Sequence, residues 1–142
     1  MLRQFLVGGG VAVINIAIHA LVMAVVIAVA QAGATTKVPH ASLFLAAVMI
    51  PTVSVLMATH ALEVMVWALA YSIIEAAPPG TDWMYFAFVN YATLGYGDIV
   101  PVPRWRLLGP IASMNGALMF GWSTAVIFEV MRKAMDRGAQ PR

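Results

Sequence analysis

Three stretches of this chain are long and apolar enough to cross a bilayer, and a fourth is not. The fourth, WMYFAFVNYA at Trp83–Ala92, is ten residues of aromatic and apolar character. A helix needs about 20 such residues to span a ~30 Å hydrocarbon core. A helix half that long enters the core and stops. The next six residues are TLGYGD, Thr93–Asp98, with two glycines that are costly inside a helix. IVPVPR follows, where Pro101 and Pro103 favour extended backbone. The pattern predicts a re-entrant hairpin: a half-helix in, an irregular strand out. Irregular backbone at membrane depth is tolerated only where protein buries it or it lines a water-filled cavity. The duller reading, a glycine-rich loop between two helices, leaves the half-length aromatic helix unexplained.

The long apolar segments are Phe5–Ala30, Ser42 to about Glu75, and Arg106 to about Met131. As one helix the second would reach about 50 Å, so it is read as a single long helix kinked near Pro51. QAGATTKVPH separates the first two segments, with Gly33, Lys37 and Pro39 as breakers. AAPPGTD forms a loop in which Thr81 or Asp82 caps the next helix. The chain is 62% hydrophobic and 10% charged. A soluble domain carries about 25% charged residues, so this is an integral membrane protein. The absence of cysteine excludes disulfides and thiolate metal sites. A formal charge of +2 is too weak for a nucleic-acid partner. Arg132, Lys133, Arg137 and Arg142 cluster in the C-terminal tail, a cytoplasmic-end pattern. Arg3 and AQA at Ala30–Ala32 fit a cleaved leader, but the apolar run between them is span-length and carries Asn15 and His19. It is read as a retained span.

Half-helix, T-L-G-Y-G-D, extended exit and final span together resemble the pore domain of potassium channels, over about Ser42–Met131. In that family rings of backbone carbonyls replace the ion's hydration shell, with valine where this chain has Leu94. The resemblance implies an all-α membrane fold: three transmembrane helices plus a re-entrant pore helix and filter loop, assembled as a homotetramer. It divides the chain into an extra N-terminal transmembrane helix (1–34), an outer helix (42–75), a pore helix (83–92), a filter (93–98), an inner helix (106–131) and a cytoplasmic tail (132–142). It implies potassium as the permeant ion, bound by the carbonyls of Thr93, Leu94, Gly95 and Tyr96, with the Thr93 hydroxyl at the inner end. Gly95 and Gly97 supply the permissive φ values that re-aim peptide planes. Leu94 and Tyr96 brace the filter, Tyr96 against Tyr85 and Phe86. Asp98 lies at the outer mouth within reach of Trp83. Some members pair that aspartate with a pore-helix glutamate, where this chain has Val89. The expected partners are other copies of the chain, potassium and lipid; no cofactor and no nucleic acid are expected. No nucleophile–base or metal constellation suggests an enzyme. The alternatives are a poorly selective cation channel and a non-conducting membrane interaction protein that keeps the motif.

In the last span Gly116 falls where the family often has a hinge; close packing through Gly116 and Gly121 is the alternative. Ala117, Phe120, Thr124 and Phe128 recur at helical spacing. By the resemblance they face the pore, and four copies of Phe128 would gate the inner mouth by dewetting. Lipid-facing or interhelical packing is the alternative. The resemblance also sets the orientation: C-terminus cytoplasmic, N-terminus extracytoplasmic, with Arg104 and Arg106 outside and Trp105 as an interfacial anchor. Polar groups interrupt the spans: Asn15 and His19, then His60, Glu63 and Trp67, then Asn115. Intramembrane ionisable groups invite a functional reading. The candidate is a proton-sensitive latch of His19, His60 and Glu63 between the extra span and the pore; interhelical hydrogen bonding is the alternative. Three histidines, with His40 in a loop, argue against zinc or di-iron.

Overall fold

Residues 1–32 and 41–138 are described by the computed structural model. They form α1 (Leu2–Ala32), α2 (Ala41–Ile73), α3 (Trp83–Tyr91) and α4 (Leu108–Gly138), with a 3-10 turn at Pro103–Trp105 before α4. Lys37, Pro39, His40 and Arg142 lie outside the described residues. Three helices are long and apolar enough to cross a membrane, over Leu2–Val29, Ser42–Ile73 and Pro103–Met135. The chain is therefore a multi-pass membrane protein, all-helical among the described residues, with one helix too short to span.

Helix α2 continues through Pro51, whose ring nitrogen has no hydrogen to donate. Just after it, the Thr52 and Ser54 hydroxyls donate back to the Val48 and Ile50 carbonyls, each at 2.8 Å. The helix ends in a Schellman motif. Ala76 N–H donates to Tyr71 O at 3.0 Å, Glu75 N–H donates to Ser72 O at 3.3 Å, and Glu75 is left-handed at φ 51°. Helix α4 runs to Gly138, beyond the boundary expected at Met131, so the start of the tail is a helical continuation. Glu129 supports it through ion pairs to Arg132 at 2.9 Å and Lys133 at 3.2 Å, one turn on.

Helix α1 lies parallel to α4 and antiparallel to α2. At its start, the Gln4 side-chain oxygen accepts from Leu107 N–H at 2.8 Å, and Gly8 sits against Leu108 and Ile111. Near its end, Met23 and Val26 pack with Leu56, Val126 and Val130. The N-terminus therefore lies at the same end of the bundle as the filter exit. The core has two apolar layers. One, at the filter end, is built on Val64, Trp67, Tyr71, Phe86, Tyr91 and Leu108. The other is the Met23–Val130 cluster. Between them lies a belt of fully or nearly fully buried polar groups: Asn15, His19, Glu63, Asn115 and Ser123. Water exclusion gives little drive between helices in lipid, so such contacts and close packing determine which faces meet.

Candidate ion-conduction site and the polar belt behind it

Asp82 opens the pore helix α3. Its carboxylate accepts from Met84 N–H at 3.0 Å and Tyr85 N–H at 3.1 Å, filling orphan donors of the first turn. Phe86, Ala87, Val89 and Tyr91 are buried, with the Phe86 ring centroid 4.9 Å from that of Tyr71. The helix closes with a second Schellman motif: Leu94 N–H donates to Val89 O at 2.9 Å and Thr93 N–H to Asn90 O at 3.1 Å. The residue after the cap, usually glycine, is Thr93 at φ 60°. Left-handed backbone costs a side chain with a Cβ roughly 1–2 kcal/mol. A β-branched residue kept there points to a use for its hydroxyl or for its peptide plane.

Thr93 begins an alternation. Gly95 (φ 58°) and Gly97 (φ 78°) are also left-handed, whereas Leu94 and Tyr96 are not. The consequence shows in the hydrogen bonds. Leu94 N–H and Gly95 N–H both turn back to one acceptor, Val89 O, at 2.9 and 3.4 Å. In a trans peptide the carbonyl points opposite to the N–H. The Thr93 and Leu94 carbonyls therefore face the same way, away from the pore helix, whereas successive carbonyls of a regular strand point to opposite sides. Residues 93–98 are all exposed in the single chain, with Leu94 at 52% and Tyr96 at 66%.

At the end of the TLGYGD loop the Tyr85 hydroxyl donates to the Asp98 carboxylate at 2.6 Å. This corrects the expected Trp83 partner: Tyr85, in the first turn of the helix and exposed, is the ring that meets Asp98. The bond holds the Asp98 carboxyl below the usual carboxylate range and raises the Tyr85 hydroxyl above its own. A depressed carboxyl keeps its bond above the ordinary range and loses it as pH falls through the lowered value. In Tyr85→Phe the largest cause of that depression is gone. Single-channel current against pH on the side that Asp98 faces is expected to show its acid inflection at higher pH in Tyr85→Phe than in the wild type; coincident profiles would contradict this pairing.

The exit strand folds over the end of α2. Val102 N–H donates to Ala76 O at 2.8 Å, and the Trp105 indole donates to Ile74 O at 3.0 Å. Trp105 is 2% exposed, beneath the Arg3 guanidinium at 4.9 Å, so it is a buried strut and not a surface anchor. Because it turns inward, the exit is extended only as far as Val102 and then tightens into the 3-10 turn. Outside it, Arg104 and Glu75 form an exposed pair at 3.6 Å, worth little.

Two contacts from α4 hold the end of the pore helix. The Ser113 hydroxyl donates to Asn90 O at 2.7 Å. Gly116 lies so close to the Tyr91 carbonyl that a Cβ there would overlap it. The close-packing alternative thus has a definite partner at Gly116; at Gly121 nothing lies within 4 Å of the Cβ position. Ala117, Phe120, Thr124 and Phe128 all sit on the exposed side of α4, with the Thr124 hydroxyl bonded back to Phe120 O at 2.9 Å.

Behind the filter base the structure brings His19, His60 and Glu63 together and adds two residues the sequence reading passed over. His19 Nδ1 lies 2.8 Å from one Glu63 oxygen. The other oxygen has His60 Nδ1 at 3.0 Å and accepts from the Tyr91 hydroxyl. His60 Nε2 lies 2.9 Å from Ser123 Oγ, and His19 Nε2 3.4 Å from it. Tyr91 is one of several aromatics in α3, and Ser123 one of several hydroxyl residues in α4, so sequence alone singles out neither. The available signal was periodicity: each falls on the buried side of its own helix. Beside this group, Asn115 Oδ1 accepts from Asn15 Nδ2 at 3.1 Å and from the Trp67 indole at 3.0 Å.

The profile of a protein family described as "Ion channel" matches residues 59–133, just over half of the chain, from the middle of α2 through α3 and the TLGYGD loop into α4. No curated protein and no solved structure matches the chain. The match covers the elements that build the hairpin and leaves α1 outside it. With the half-helix, the turned-out carbonyls and the two flanking spans, it places the chain in the ion-channel family that has the potassium-channel pore, a membrane transport protein and not an enzyme.

Proposed function

We propose that the chain is a potassium-selective channel that works as a homotetramer. The observation that carries this is the pair of parallel carbonyls, Thr93 and Leu94, on a loop its own chain leaves uncovered. One such strand cannot surround an ion. Four copies around an axis would form rings of oxygens able to replace the hydration shell of potassium. The ligands are the carbonyls of Thr93, Leu94, Gly95 and Tyr96, with Gly97 completing the left-handed alternation and Asp98 at the outer mouth. The same four-fold packing would cover Leu94 and Tyr96, as irregular backbone in a membrane requires.

The positive-inside tendency of Arg132 and Lys133 supports a cytoplasmic C-terminus, with the N-terminus on the outer side beside the filter exit. The division into an extra helix, a pore domain and a tail accords with a family match that begins inside α2. Gly116 remains the proposed hinge region and Thr124 and Phe128 the inner lining. Phe128→Ala is expected to raise open probability in single-channel recordings by widening an apolar constriction; unchanged gating would place Phe128 against lipid or another helix.

The deciding experiment is flux from liposomes holding the purified protein. Potassium should pass and sodium be excluded, and flux should fall to background in Gly95→Ala, since a Cβ strains a residue held at φ 58°. Passage of both ions supports the poorly selective pore instead. Absence of flux supports the non-conducting reading.

A further inference from the structure

We infer that His19, His60, Glu63 and Tyr91 form a binding site for a divalent transition-metal ion of the zinc class, which ties the extra helix to the base of the pore helix. The inference does not depend on what the filter selects. It begins with convergence: α1 supplies His19, α2 supplies His60 and Glu63, and α3 supplies Tyr91. One donor atom from each of His19, His60 and Glu63 lies within 4.8 Å of the others. Neighbouring donors are 2.8 Å (His19 to Glu63), 3.0 Å (His60 to Glu63) and 3.2 Å (His60 to the Tyr91 hydroxyl) apart. Bonds of zinc to nitrogen and oxygen ligands make a tetrahedron with edges of about 3.3 Å, so these three pairs need to open by only a few tenths of an ångström, while the Tyr91 hydroxyl gives up its bond to Glu63 as the ion comes between them. Two imidazoles, a carboxylate and a phenol suit zinc and its neighbours better than calcium or magnesium, which want oxygen alone.

Proton counting points the same way. Both histidines turn Nδ1 toward Glu63 and Nε2 toward the single hydroxyl of Ser123. When both Nδ1 atoms carry hydrogens for Glu63, both Nε2 atoms are acceptors, and Ser123 has one proton for two of them. When both Nδ1 atoms bind a cation, both Nε2 atoms carry hydrogens, and the two lone pairs of Ser123 Oγ accept them. That is the outer-shell bond that fixes a metal-ligating histidine. Charge agrees as well. Glu63 is 0% exposed. The titratable groups facing it are His19 from α1, His60 from its own helix and Tyr91 from α3, and α4 presents the neutral Ser123. A carboxylate at that depth calls for a cation beside it. His60, with 12% of its side chain exposed, is where the ion enters.

The test uses the full-length protein in detergent, stripped with a chelator, dialysed against zinc and assayed for metal per chain. About one zinc per chain is expected, and cobalt in its place should give the visible bands of a tetrahedral ion. Ser123→Ala, which leaves every ligand intact, should weaken zinc binding about 10-fold or more through the outer shell alone. His60→Gln should abolish it, together with the zinc-dependent rise in thermal midpoint. Wild-type protein that retains no zinc overturns the inference, as does zinc content unchanged in His60→Gln. A metal-free wild type whose current follows pH, with that dependence lost in His60→Gln, also overturns it, in favour of a proton-sensitive cluster.

Discussion

Gly116→Ala is expected to abolish conduction and to lower stability by about 3 kcal/mol, the upper end for overpacking. The added methyl would occupy the place of the Tyr91 carbonyl. A side-chain neighbour can rotate away, but a carbonyl in the last turn of a helix cannot without moving the helix. The residue carrying it is two before Thr93, so the displacement reaches the filter floor at once. Gly121→Ala provides the comparison, since nothing lies within 4 Å of the position its methyl would take. Thermal unfolding of the solubilised protein should separate the two variants clearly, and liposome flux should be lost in the first. Equal midpoints would mean that the pore helix is not seated against α4 as described.

Glu63→Ala is expected to cost about 3–5 kcal/mol, as when one partner of a buried pair is removed. Three groups rely on this carboxylate: the His19 and His60 rings and the Tyr91 hydroxyl. Losing it leaves polar atoms of three helices unmatched, each at about 1–3 kcal/mol when buried. Glu63→Gln keeps one acceptor oxygen and should fall between wild type and alanine. The thermal midpoint ranks the three. A midpoint in Glu63→Ala equal to that of the wild type would show that the belt is not part of what holds α1 in place.

Much of the fold was legible because lipid makes the rules simple. Span lengths, the half-length helix and the helix-breaking residues after it follow from hydropathy and from glycine and proline alone. The backbone of the TLGYGD loop was legible only in part. Gly95 and Gly97 declare permissive backbone, but Thr93 does not: threonine is a poor choice for left-handed φ, and only the two-residue rhythm of the two glycines hinted at it. The Asp98 partner was missed because Trp83 and Tyr85 both lie on the first turn of α3, and which ring meets the carboxylate depends on where the exit strand lands. The polar belt was half legible. His60 and Glu63, three apart, share a helix face by arithmetic; that Tyr91 and Ser123 join them depends on how four helices pack. Trp105 reads as an anchor because tryptophan favours interfaces, yet the end of α2 leaves a carbonyl at Ile74 that its indole can bond.

The two grips of α4 on the pore helix bear on how conduction is switched. Ser113 and Gly116 are three apart, nearly one helical turn, and they hold the consecutive carbonyls of Asn90 and Tyr91. A rigid-body rotation of α4 about its own axis would therefore turn like a key in a lock already engaged, dragging the Thr93–Asp98 strand with it. A bend confined to the stretch beyond Gly116, toward the inner end, would leave that lock untouched. Closing at the inner mouth and distortion at the filter are thus separable motions only for a helix that bends, and they become a single motion for one that twists.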